Sequence, residues 1–153
     1  MGFKAIILTP IKCGDIIPPC DLGFPRLVFQ FPTLDYRDRK RSISVCRAAL
    51  QQYYARHLAR QYDGVFLIDS DVVTDKATLE ALIEKWEPGK TPCVNTKGGA
   101  TGHIVASCCF LSRDDFLGVD FLESPDRCHC EKLPEPFYID RDATEVKYGR
   151  QRC

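Results

Sequence analysis

The order of apolar and polar positions along the chain predicts short strands that alternate with helices. Helical spacing of apolar residues occurs at 44–62 and in the segment after position 73. Apolar runs typical of strands lie at 3–8, 27–31, 64–68, 92–95, 103–111 and 137–139. Since crossovers between parallel strands are right-handed, this alternation predicts a single α/β domain with a mostly parallel central sheet flanked by helices.

Residue types assign a buried side and a solvent side to each predicted helix. The apolar side of the first helix comprises Val45, Ala48, Ala49, Tyr53 and Leu58. Its more polar side, which we expect to face solvent, comprises Arg47, Gln51, Arg56 and Arg60. In the second helix Thr74 is the expected N-cap and Asp75 lies in the first turn. One face of that helix carries Leu79, Leu82, Ile83 and Trp86.

Three segments lack a regular pattern and predict loops. Residues 9–26 are rich in Pro and Gly, so the first strand is expected to end at Thr9 and Pro10. The charged run 35–41 predicts a solvated loop. Residues 123–136 mix Pro, Cys and charge without periodicity, and the chain ends in a charged tail after the strand at 137–139.

Size and charge limit the classes of function. The 153 residues suit one domain, and 44% hydrophobic residues are enough for a core. Lys plus Arg and Asp plus Glu number 21 each, and this balance argues against a general nucleic-acid binder. No apolar run approaches the roughly 18 residues of a membrane span. The first apolar run is too short for a signal peptide, so we expect a cytoplasmic protein.

Nine cysteines are many for a chain of this length. Without a secretion signal, free thiols are expected in preference to a disulfide framework. The cluster Cys128-His129-Cys130 suggests zinc, but a structural zinc site needs four ligands and no second pair with suitable spacing is evident. Buried thiols therefore explain the cysteines better than a metal centre.

Two carboxylates directly follow the apolar run at 64–68. Asp69 and Asp71 flank Ser70, and ligands of open α/β sheets bind at the carboxyl ends of the strands. Two hard oxygen ligands suit Mg²⁺ or Mn²⁺, whose other positions are filled by water and substrate phosphates. An isolated D-x-D pattern also arises from a helix-capping Asp next to a solvated one, so the position after a buried strand is what favours the metal site.

The segment 43–73 resembles the nucleotide-sugar-binding half of family 2-like glycosyltransferases with the GT-A fold. Residues 5–10 are similar to their first strand, and residues 102–113 resemble a later Gly-rich loop that leads into a strand. The resemblance implies a small or truncated GT-A domain, with residues 1–95 as the nucleotide-sugar-binding half and 96–153 as a shortened acceptor and catalytic half. It also implies a nucleoside-diphosphate sugar donor, an acceptor of unknown chemistry, Mn²⁺ or Mg²⁺, and possible assembly as a homo-oligomer.

The resemblance also assigns roles to single residues. Asp69 and Asp71 would hold the metal ion and the donor diphosphate, and Arg47 would pair with phosphate oxygens. Thr9 and Pro10 would line a nucleoside pocket, and Gly99 would let the backbone approach the sugar closely. His129 would be a third metal ligand, and Asp126 or Glu131 would be the catalytic base.

Two alternatives stay open at this point. The chain could be a non-catalytic module that binds a nucleotide or a metal, as a degenerate transferase would. It could also be a metal-dependent phosphoryl-transfer enzyme, since such enzymes place carboxylates after a strand as well. Toprim-like domains need a Glu after their first strand, and phosphatases of the haloacid dehalogenase type carry an Asp pair there followed by Gly-Thr or similar. Residues 3–10 fit neither pattern.

Overall fold

A computed structural model describes residues 2–12, 21–31, 39–97, 108–122 and 133–145 of the chain. The described part contains seven strands and three helices. In chain order they are β1 (Ala5–Lys12), β2 (Arg26–Phe31), α1 (Arg39–His57), β3 (Gly64–Ile68), β4 (Val72–Val73), α2 (Lys76–Lys85), β5 (Thr91–Lys97), β6 (Cys108–Ser112), α3 (Arg113–Gly118) and β7 (Pro136–Glu145).

The strands form one sheet in the order β2-β1-β3-β6-β5-β7-β4. The pairs β1–β2, β1–β3 and β5–β7 are parallel, whereas β3–β6, β5–β6 and β4–β7 are antiparallel. The predicted α/β fold with a mostly parallel sheet is confirmed, since five of the seven strands run in one direction and β4 and β6 run against them. Strands β1, β2, β3, β5 and β7 all end at the same edge of the sheet, which we call the carboxyl edge.

The sheet curls so that β4, the last strand in the order within the sheet, lies next to the end of β3. Only three residues separate β3 from β4, yet β4 pairs with β7 at the far end of the strand order. From Cys93 to Asn95 strand β5 advances two residues, while its partner β7 advances four, from Tyr138 to Asp142. Such an irregularity bends a strand. The bend carries the end of β7 across the carboxyl edge, where Glu145 pairs with Val72.

Alternate residues of the central strands build two cores, one on each face of the sheet. Val65 and Leu67 of β3 lie in the core on the side of α1 and α3. Phe66 and Ile68 of the same strand lie in the core on the side of α2. All four side chains are at most 3% exposed, as the continuous apolar run predicted. Strand β3 is therefore fixed between two packed layers, and so is the point at which it ends.

Four boundaries differ from the expectation. β1 continues through Thr9 and Pro10 to Lys12, because beyond Leu8 it pairs with β2 alone and proline is tolerated beside an unpaired edge. Helix α1 begins at Arg39, so the charged run is partly helical. The N-cap of α2 is Asp75, whose Oδ1 accepts a hydrogen bond from Thr78 N at 2.7 Å. Strand β7 reaches Glu145 and includes the start of the charged tail.

We predict that Gly64→Ala destabilises the fold by about 1–3 kcal/mol, because a methyl group there overpacks the core. A Cβ at Gly64 would lie 2.7 Å from the ring of Phe110 and 3.3 Å from Phe3 Cβ. Urea unfolding measures the change. Gly118→Ala is the control, since no atom lies within 4 Å of a Cβ built there. A Gly64 variant as stable as the Gly118 variant would contradict the prediction.

Candidate active site at the carboxyl edge

The two carboxylates Asp69 and Asp71 lie on a tight turn that leaves β3. Val72 N donates a hydrogen bond to Asp69 O at 3.2 Å, which closes a four-residue turn around Ser70. Val72 then pairs with Glu145 of β7. The turn is thus held by β3 on one side and by β4 on the other, and both carboxylates are partly buried at the carboxyl edge.

Arg47 of α1 forms an ion pair with the first of these carboxylates. Its Nη2 donates to Asp69 Oδ1 at 3.2 Å. The Arg47 side chain is only 10% exposed and that of Asp69 is 34% exposed, so the pair is largely withdrawn from water. Salt bridges in such surroundings are screened less than surface pairs, and the loss of one partner leaves a poorly solvated charge.

The electrostatics of the turn favour an additional cation. Burial raises the pKa of Asp69, and the neighbouring charge of Asp71 raises it further, while the charge and hydrogen bond of Arg47 lower it. The pKa is raised on balance, because burial together with the charge of Asp71 outweighs the effect of Arg47. Within the part of the chain that the structure describes, Asp71 has no hydrogen bond or ion pair.

Helix α1 places Arg47 through a buried face that is polar. The residues of this face are Ser44, Arg47, Gln51 and Tyr54. Gln51 Nε2 donates to Phe116 O at 2.8 Å and to Val119 O at 2.6 Å, which satisfies carbonyls at the end of α3. Tyr54 donates its hydroxyl proton to Tyr62 O. The expectation that Arg47 and Gln51 face solvent is wrong, because their contacts with neighbouring elements turn this side inward.

The predicted pocket residues on β1 have different environments. Thr9 is fully buried, and its hydroxyl accepts a hydrogen bond from Arg26 Nε at 2.9 Å. This bond joins the side chains of β1 and β2 and so stabilises the carboxyl edge. Pro10 is half-buried. Pro10 pairs with Phe29 of β2, and the pairing of β1 with β3 ends at Leu8↔Leu67. The pocket role of Pro10 stays a prediction. Nothing in the sequence singled out Arg26, because its partner lies on another strand.

Four predicted site residues lie outside the described residues: Gly99, Asp126, His129 and Glu131. The cluster Cys128-His129-Cys130 and the first part of the predicted strand 103–111 lie outside them as well. Among the residues that are described, no group of three His, Cys, Asp or Glu side chains could hold a metal ion. The structure therefore brings Arg47, Asp69 and Asp71 together, and the remaining assignments stay predictions.

No protein-family model and no curated protein matches the sequence. Solved structures do match the fold. One is described as a glycosyltransferase involved in the glycosylation of the major capsid of PBCV-1; it is 10% identical, with a TM-score of 0.59, over 92% of this chain and 91% of that chain. Another, A197 from STIV, is 12% identical, with a TM-score of 0.53, over 97% of both chains. The chain has a glycosyltransferase-like α/β fold.

The donor atoms at the turn fit Mg²⁺ or Mn²⁺. Asp69 and Asp71 supply carboxylate oxygens, which these ions prefer, and Arg47 pairs with one of the two side chains. Few protein ligands are typical of such sites, because water and substrate phosphates complete the coordination.

No helix in the described ranges is long and apolar enough to cross a membrane.

We predict that Arg47→Met lowers the free energy of unfolding by about 1–3 kcal/mol at pH 7, because Asp69 loses its partner. A carboxyl whose folded-state pKa is raised favours folding at low pH, and this contribution is lost as the pH rises through that pKa. Without Arg47 the pKa of Asp69 rises further. The difference from the wild type should therefore shrink as the pH falls towards about 4.

Urea unfolding of both proteins at neutral and acidic pH tests this expectation. Arg56→Met is the matched control, since Arg56 is exposed on the same helix. A destabilisation by Arg47→Met that is equal at both pH values would indicate lost side-chain packing and would contradict the electrostatic account.

Proposed function

We propose that the chain transfers a sugar from a nucleoside-diphosphate sugar to an acceptor, with Mn²⁺ or Mg²⁺ bound by Asp69 and Asp71. The observation that carries the proposal is the turn after β3, which places two partly buried carboxylates side by side while Arg47 pairs with Asp69. A site with this charge favours a divalent cation, and a divalent cation at the end of a strand favours a diphosphate.

The residues of the turn divide the work between binding and orientation. Asp69 and Asp71 would hold the cation, which when bound supplies positive charge to the departing diphosphate. Arg47 would fix one oxygen of Asp69, so that the carboxylate keeps a single orientation towards the ion. His129 as a third ligand, Gly99 beside the sugar, and Asp126 or Glu131 as the base belong to the same proposal.

The comparison with the PBCV-1 protein supports the proposal in one respect. The alignment covers 92% of this chain and 91% of the other, so the likeness extends over nearly all of both chains. No large part of that solved structure lacks a counterpart in this chain. The short length, by itself, is no argument for the non-catalytic alternative.

We predict that a nucleoside-diphosphate sugar binds in the presence of Mn²⁺ and that Asp69→Asn and Asp71→Asn each weaken this binding at least 10-fold. An amide keeps the shape of the side chain but removes the charge that holds the ion. Isothermal titration calorimetry with UDP- and GDP-sugars, with and without Mn²⁺, measures the effect. Asp75→Asn is the matched control, because Asn can also cap α2.

The same titrations separate the proposal from its alternatives. If no nucleoside diphosphate or nucleotide sugar binds in a metal-dependent way, the proposal fails. Metal-dependent binding without release of nucleoside diphosphate in the presence of candidate acceptors would favour a non-catalytic module. Cleavage of simple phosphate esters that depends on Asp69 would favour phosphoryl transfer.

A further inference from the structure

Two cysteines lie directly opposite each other in the middle of the sheet. Cys93 of β5 and Cys109 of β6 form an antiparallel pair, and it is the one pair of residues that joins these two strands in the described ranges. Both side chains are fully buried, and both belong to the core on the side of α1. Strands β5 and β6 are where the half of the sheet with β1 and β3 meets the half with β7.

The geometry of this pair suits a covalent bond. Cα atoms of opposed antiparallel residues are about 4.5–5.5 Å apart, and this range lies within the roughly 4.4–6.8 Å that disulfides require. The two side chains point to the same face of the sheet and pack in the same core. Cys93 donates to Thr91 O at 3.5 Å. The backbone pairing therefore places the two sulfur atoms side by side.

We propose that Cys93 and Cys109 form a disulfide that links β5 to β6 when the chain folds in the presence of a small-molecule disulfide such as oxidised glutathione. The two thiols lose their protons and two electrons, and one glutathione disulfide is reduced to two glutathione thiols. The exchange proceeds through a mixed disulfide on one cysteine, which the other thiolate then displaces. This modification is independent of the proposed transferase activity.

The other described cysteines do not share this arrangement. Cys108 precedes Cys109 but faces the opposite core, where it pairs with Ile68. Cys46 lies on α1 and is buried as well. Adjacent residues of a strand point to opposite faces, so Cys108 cannot replace Cys109 as the partner of Cys93. Cys108 is therefore a matched control with the same residue type, the same strand and the same burial.

The bond should form during folding and be slow to form afterwards. Hydrogen bonding to Cys93 and burial raise the pKa of Cys109, so little thiolate exists in the folded protein. Both sulfur atoms are inaccessible to solvent once the sheet is complete. In the unfolded or partly folded chain neither restriction applies, and exchange can proceed.

The crosslink would tie together the two ends of the segment that connects β5 to β6. That segment contains Gly98, Gly99 and Gly102. Cys108, the residue before Cys109, pairs with Ile68, the residue before Asp69. Closing a loop of this length restricts the unfolded chain and raises stability. For a domain of this size we expect the melting temperature to rise by roughly 5–10 °C.

The test is to refold the reduced, denatured chain in a buffer of reduced and oxidised glutathione. Free thiols are then alkylated, and the protein is digested and analysed by mass spectrometry. We expect a peptide pair linked through Cys93 and Cys109, and a melting temperature that falls back when a reductant is added to the unfolded chain before refolding. Alkylation of both cysteines in the refolded protein, or a bond from either one to another cysteine, would overturn the proposal.

Variants separate this bond from any other that the nine cysteines could form. Cys109→Ala should abolish the difference in melting temperature between oxidised and reduced protein, whereas Cys108→Ala should retain it. The assignment would be contradicted if both variants lose the difference in melting temperature between oxidised and reduced protein, or if both variants keep it. If Cys109→Ala does not fold, the mass-spectrometric map of the wild-type protein decides the question alone. Neither outcome depends on nucleotide or metal binding, so the proposed transferase function is tested separately.

Discussion

The ion pair between Arg47 and Asp69 determines how the carboxyl edge is built. A guanidinium that is 10% exposed needs a partner, and the turn after β3 provides it at 3.2 Å. To reach that turn, α1 must present a polar side to the protein interior, so Gln51 and Tyr54 also find buried partners there. One arginine still offsets only part of the charge of two carboxylates. The turn is therefore fixed to α1 as well as to β3 and β4.

The path of β7 explains why this turn is rigid. A short strand such as β4 would be poorly fixed by two residues, but its partner β7 is ten residues long and also pairs with β5. The bend after Cys93 is what lets β7 serve both strands. The position of Asp71 therefore depends on residues more than 60 positions later in the chain. The contacts between β4 and β7, which lie far apart in the sequence, close the carboxyl edge beside the turn and leave β3 in the interior of the sheet.

The sequence predicted those features that depend on neighbouring residues. The run at 64–68 gave strand β3 with its bounds, and the D-x-D pattern was correctly expected at the end of it. Features that depend on distant partners were missed. Arg47 looked like a solvent-facing residue because helical periodicity counts polarity and cannot see Asp69, 22 residues away. The direction of individual strand pairs and the length of β7 could not be predicted for the same reason, because pairing depends on two strands and is not encoded in either one alone.

Arginine suits position 47 for a reason that goes beyond neutralising Asp69. A lysine could neutralise Asp69, but its single ammonium cannot hold a carboxylate and address a second anion in a fixed geometry. A guanidinium is a rigid plane of N–H donors, and the bond from Nη2 to Asp69 Oδ1 fixes its position at the carboxyl edge. In the proposed function the same group would also pair with a donor phosphate. An ion pair that already holds the guanidinium at the edge would lower the entropic cost of ordering it when a diphosphate binds.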